Sequence, residues 1–163
     1  MKVLYVGGQK SGKSVLAEQK ILEIAEKKPF YIATYDNRTY VDAEMQIRIQ
    51  KHLQRRKEDF ITIEEPLYLD HVIKSGESYL VDCLSMWIMN LLESGEQYET
   101  ILSKVLETDA NMVFVLNDVT KGIIPPNMLS RKYIDLSGVI GQIVAAACDE
   151  VYEVVVGLPR RLK

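Results

Sequence analysis

Residues 7–14 read GGQKSGKS, directly behind the apolar run VLYV at positions 3–6. This fits G-x-x-x-x-G-K-[ST], a loop that cradles a polyphosphate between a strand and the helix that follows it. Glycines at Gly7, Gly8 and Gly12 let successive backbone N–H groups turn inward without a Cβ clash. Lys13 can reach the outer phosphates as a point charge, and the Ser14 hydroxyl can bind Mg²⁺. The N-terminus of the next helix adds its partial positive charge. The competing reading is a Gly/Ser turn that matches by chance, but pattern, preceding strand and following helix all agree. The loop implies a nucleoside triphosphate; it does not say which one, or where the phosphate goes.

Around the loop, strand-like and helix-like segments alternate. Strands are expected at 2–6, 30–34, 60–63, 79–83, 112–116 and 151–156. Helices are expected at 13–27, 41–57, 67–74, 85–92, 98–106 and 127–147, the last weakened in its middle by Gly138 and Gly141. Alternation of this kind predicts an α/β fold: a mostly parallel sheet flanked by helices on both faces, in one P-loop domain over 1–163. The strands VLYV, YLV and MVFVL are continuously apolar, as strands covered on both sides must be. With 163 residues the chain is long enough for one proper core. In open sheets of this type ligands sit outside the carboxyl ends of the strands. That points to residues 7–14, 34–37, 82–85 and 117–122.

Charge excludes some functions. A net charge of −3 argues against a general nucleic-acid binder. No apolar run is as long as a membrane span, and a glycine loop stands where a signal peptide would be apolar, so no membrane anchor and a cytoplasmic location are expected. Cys83 and Cys148 lie in apolar contexts and read as reduced core thiols; with no CxxC pair, structural zinc is not expected.

Two polar features carry chemistry. The strand at 79–82 ends in Asp82, which can hold Mg²⁺ or its water shell opposite Ser14. Its plainer role is to cap the helix from Ser85, and Asp118 is the rival metal carboxylate. On the 41–57 helix, Glu44, Arg48, His52 and Arg55 form one polar stripe beside Met45, Ile49 and Leu53. Neighbouring cations should keep His52 neutral near pH 7. A neutral imidazole can be a nucleophile, while Arg48, Arg55 and Arg56 could hold phosphate oxygens. The residues alone favour a solvated, charge-laced face with an incidental histidine. His71 reads as structural.

The blocks VGGQKSGKS, YIAT, DAEMQIRIQKH, RRKEDFITIEEP, VDCLSMWIMNLL and VLNDVTKGIIPPNMLSRKYIDLSG…AAACDEVYEVVVGLP are another matter. In this order, almost end to end, they resemble the bifunctional adenosylcobinamide kinase / adenosylcobinamide-phosphate guanylyltransferases of cobalamin biosynthesis. The resemblance implies a P-loop fold related to recombinase cores, and a homotrimer. It makes His52 the acceptor of GMP from GTP. It places nucleotide contacts on Gly7, Gly8, Gln9, Lys10, Ser11, Gly12, Lys13 and Ser14, on Thr34, Tyr35 and Asp36, on Leu53, Gln54, Arg55 and Arg56, and on Glu64 and Asp82. The implied reactants are ATP or GTP, adenosylcobinamide and its phosphate, with Mg²⁺, and without nucleic acid.

The chain departs from the family pattern at four places. Asn117-Asp118-Val119-Thr120 stands for Asn-Glu-Val-Gly, and Tyr133-Ile134-Asp135 lacks the usual arginine. Gly141-Gln142 stands for Asn-Gln, and Phe60 for tryptophan. These changes bear on the corrinoid site more than on the nucleotide site. They leave a single-activity P-loop kinase as the nearest alternative. A GTP-dependent switch is more distant: Asp135-Leu136-Ser137-Gly138 fits D-x-x-G but lies inside a helical segment. A nucleic-acid ATPase is more distant still.

Overall fold

The computed structural model describes residues 1–35 and 58–163. Residue order gives β1 (Lys2–Gly7), α1 (Lys13–Ile24), β2 (Phe30–Ala33), β3 (Ile61–Glu64), α2 (Leu69–Val72) and β4 (Ser78–Asp82). Then follow α3 (Leu84–Ser94), α4 (Tyr98–Glu107), β5 (Asn111–Asn117), α5 (Met128–Ala147), β6 (Glu150–Val155) and β7 (Leu158–Arg161). The seven strands form one sheet in the order β3-β2-β4-β5-β1-β6-β7. Each pairing is parallel except β6 with β7. The mostly parallel α/β sheet expected from the alternation is therefore present. The 41–57 helix lies outside the described residues.

The apolar strands are buried on both faces, and alternate side chains divide between two cores. Leu4, Val81, Tyr79, Met112 and Phe114 face one way, into a core completed by Trp87, Ile88 and Leu91 of α3, Leu102 of α4 and Ile140 of α5. Val3, Tyr5, Leu80, Val113 and Val115 face the other way, against Ala17 and Ile21 of α1. Trp87 is fully buried, and its indole N–H donates to the Leu67 carbonyl at 2.7 Å, so the largest side chain brings no orphan donor into the core.

Element boundaries fall within two residues of expectation, with two larger differences among the described residues. Helix α1 ends at Ile24, short of Lys27. Past the expected last strand, the tail turns back as β7, pairing Val155 with Leu158 and Tyr152 with Arg161. Pro159 and the basic tail conceal this strand in the sequence. At a sheet edge, though, a proline loses no needed hydrogen bond, and charges blunt an exposed edge. Gly138 and Gly141 do not break α5. A Cβ at Gly141 would lie 3.1 Å from Leu116 Cδ2, so the glycine allows close packing of α5 on β5.

Candidate active site

The loop at 7–14 emerges from the carboxyl end of β1, as the motif requires. Gly8, Gln9 and Lys10 are exposed at its apex, while Lys13 is buried at its base. Gly12 caps α1 with φ 96°, a left-handed conformation that only glycine adopts without strain. A Cβ on Gly7 would come within 2.5 Å of the Val154 carbonyl oxygen. The Lys13 ammonium donates to the Gly8 carbonyl at 3.0 Å, which holds it over the loop. Burial pushes its pKa below the ordinary lysine value, and the Asp82 carboxylate acts in the opposite direction. Asp82 therefore lies within electrostatic reach of the loop lysine.

Asp82 ends β4 and is held there. It accepts from the Tyr31 hydroxyl at 2.9 Å, across the β2–β4 pair. The Asp82–Cys83 peptide is cis. Thr34 fastens the same corner: its hydroxyl donates to the Cys83 carbonyl at 2.7 Å and accepts from the Cys83 N–H at 3.0 Å. The Asn90 side-chain amide then bridges the Thr34 and Pro66 carbonyls at 2.8 and 2.7 Å. Thr34 is fully buried, so its hydroxyl serves this junction of β2, β4 and α3. Helix α3 begins directly behind this corner, with Cys83 at its N-cap position. The Cys83 thiol is pushed up to about 11 by burial and by the Asp82 charge, and burial takes Cys148 to about 12. Both are free cysteines that stay protonated at neutral pH.

The other strand-end carboxylate, Asp118, is occupied. Its Oδ1 accepts from the Thr120 N–H and hydroxyl at 3.1 and 2.8 Å, and Oδ2 pairs with Lys121 at 2.9 Å. Burial raises its pKa, but the hydrogen bonds from Lys121 and Thr120 outweigh that and hold it below the usual value. Lys121 also pairs with Glu153 of β6 at 2.7 Å. Of the two aspartates, the sequence favoured Asp82 for the metal role with Asp118 as its rival, and the structure engages Asp118 in an ion-pair network with Lys121.

The remaining expected contacts are scattered. Tyr35 is described and half-buried. Glu64 is exposed at the end of β3, four strand positions from β1. At one strand spacing per step that is roughly 19 Å, too far to touch phosphates held in the loop. Asp36, His52, Leu53, Gln54, Arg55 and Arg56 lie outside the described residues. His71 lines a cavity of about 420 Å³ between α2 and α4 and stacks on Tyr68 at 5.1 Å, which agrees with its structural reading. Sequence reasoning missed Tyr31 and Asn90, since a tyrosine inside a strand and an asparagine inside a helix carry no motif.

Among solved structures, a KaiC-like protein from Pyrococcus horikoshii aligns with TM-score 0.48 and 13% identity, covering 93% of this chain and 69% of that one. The fold class rests on the sheet itself. Among curated proteins, the bifunctional adenosylcobalamin biosynthesis protein CobP of Pseudomonas aeruginosa is 37% identical over 100% of this chain and 98% of its own length. The bifunctional adenosylcobalamin biosynthesis protein CobU of Escherichia coli is 32% identical over the full length of both chains. The family model described as cobinamide kinase / cobinamide phosphate guanyltransferase matches residues 3–162. Its end-to-end fit, around a formed phosphate loop with a tethered strand-end carboxylate, means that the chain belongs to the cobinamide kinase / cobinamide phosphate guanyltransferase family.

Proposed function

We propose that the protein phosphorylates adenosylcobinamide with ATP or GTP and then transfers GMP from GTP to the product, giving adenosylcobinamide-GDP in cobalamin biosynthesis. The observation that carries this reading is the family match over residues 3–162, spanning the phosphate loop and the D-x-E-M-x-x-R-I-x-x-H block that ends in His52.

In the kinase step, the loop amides and Lys13 position the triphosphate and offset charge on the transferred group and the leaving oxygens. Mg²⁺ fits the residues present. Ser14 and Asp82 offer hard oxygen donors, and among the described residues no cluster of three or more His, Cys, Asp or Glu side chains forms a closed metal cage. An ion that keeps its waters and leans on nucleotide oxygens needs only one or two such protein groups. Ser14 and Asp82 would hold it; Asp118 is already spent on Thr120 and Lys121. When bound, Mg²⁺ supplies charge neutralisation at the phosphates. In the transferase step, an imidazole nitrogen of His52 attacks the α-phosphorus of GTP and pyrophosphate leaves. The phosphoramidate then passes GMP to the terminal phosphate of adenosylcobinamide phosphate and frees the imidazole.

The test is incubation with α-labelled GTP and Mg²⁺. A covalent, acid-labile, base-stable label is expected, absent from His52→Ala, which keeps kinase activity. Equal loss of both activities in a folded His52→Ala protein would contradict this division of labour. A wild-type protein that phosphorylates but takes no label would instead support the single-activity kinase.

We also infer a homotrimer and a cytoplasmic location. Ile123 and Ile124 are 96% and 78% exposed, and Met128 and Leu129, a few residues on, are exposed as well, which favours burial against another copy. Light scattering that returns a monomer would remove the trimer. Two free, protonated thiols fit a reducing compartment. Among the described residues no helix is long and apolar enough to cross a membrane.

A further inference from the structure

We propose that the turn between β6 and β7 is a positioning element for the phosphate loop, with the Gly157 N–H setting the orientation of the Ser11–Gly12 peptide. The inference rests on the nucleotide reading above and adds to it a residue far from the loop motif in sequence. The Gly157 N–H donates to the Ser11 carbonyl at 2.8 Å. In a trans peptide the C=O and the next N–H point in opposite directions. Holding the Ser11 carbonyl toward the hairpin therefore turns the Gly12 N–H away from it, to the side where an anion cradle needs donors.

The contact is close and two-sided. A Cβ on Gly12 would lie 3.3 Å from Gly157 Cα, so the two backbones touch. At the other end of the loop, Gly7 packs against the Val154 carbonyl, within 2.5 Å of where a Cβ would stand. The hairpin thus backs both the entrance and the exit of the loop. Its own shape is fixed: Val156 and Gly157 have φ 47° and 85°, as a two-residue turn with positive φ at both positions demands. Glu153 anchors its base by pairing with Lys121 and Arg160.

The role is to position, so the effect should fall on triphosphate affinity rather than on turnover. Gly157→Val disfavours positive φ and should move the N–H off Ser11. Gly157→Asn keeps the N–H and tolerates that backbone region. Binding of GTP and of inorganic triphosphate is measured in the full chain, with KM and kcat for the kinase step and the thermal midpoint in parallel. The valine protein is expected to bind both triphosphates about 5- to 10-fold more weakly, on the scale of one backbone hydrogen bond. Its KM for nucleotide should rise while kcat stays within about twofold. The asparagine protein should match wild type. Should the valine protein fail to fold, Gly157→Ala carries the same test with less strain. Unchanged triphosphate binding in the valine or alanine protein would overturn the proposal, as would asparagine failing to rescue. A wild-type protein that binds neither triphosphate would remove the nucleotide reading itself, a distinguishable result.

Discussion

The loops that follow β1 and β5 lie side by side, since these strands pair and the Asp118 N–H donates to the Gly7 carbonyl at 2.9 Å. Both carry a lysine and hydroxyl side chains. After β1, the lysine is buried at the base of an exposed apex, held by one loop carbonyl. After β5, Asp118, Thr120 and Lys121 use one another and Glu153. The difference shows that polar residue types at a strand end do not make a site. Groups already satisfied by the protein have little left for a ligand.

The largest expected contrast is between the two lysines. Lys13→Ala should lower kcat/KM for the kinase step by about 10²- to 10³-fold with the fold intact, the usual scale for losing one preorganised electrostatic group. Lys121→Ala should leave kcat/KM within about twofold, as expected for an exposed ion pair. Steady-state kinetics on both proteins checks this, and comparable losses would break the comparison. The two aspartates come next. Asp82→Asn should cost on the order of 10-fold in activity and raise the Mg²⁺ concentration needed, while Asp118→Asn changes neither. A Mg²⁺ titration of each variant distinguishes them.

A pH series sharpens the picture. In the proposed kinase step the protonated Lys13 would hold the triphosphate, and burial lowers its pKa from 10.5. Triphosphate affinity should therefore be full below that lowered pKa and fall as pH rises through it, with a midpoint under 10.5. Lys13→Arg should lack this alkaline limb, because guanidinium stays charged. The smallest effect belongs to the closed network. Asp118 has a folded pKa below its ordinary 3.8, and Glu153 one below 4.5. Their stabilisation is present above those ordinary values and lost as pH falls through the depressed folded ones. Melting temperature should decline less steeply on acidification in Lys121→Ala than in wild type.

Much of this was legible in the residues. GGQKSGKS behind VLYV identified strand, loop and helix, because the motif's backbone demands are local. The apolar runs at 79–82 and 112–116 announced strands buried on both faces. β7 was not legible: Pro159 and Arg160 argue against a strand anywhere but at an edge, and edge position is a tertiary fact. The sequence favoured Asp82 over Asp118, but the partners that distinguish them were hidden. The distinction depends on Tyr31 lying on the strand beside Asp82, and on Glu153 lying on the far side of β1 to hold Lys121.

The chain alone determined the phosphate loop, the strand–helix alternation up to β6 across the described residues, and family membership through blocks that run from end to end. Those are properties of short windows, where hydrogen-bond partners and apolar period lie within a few residues. Only the tertiary structure decided that Asp82 lies near the loop lysine while Asp118 joins an ion-pair network, and that the Gly157 N–H, far downstream, meets the Ser11 carbonyl. Such contacts arise when the sheet brings distant strand ends into register, and the spacing of residues along the chain carries no record of that.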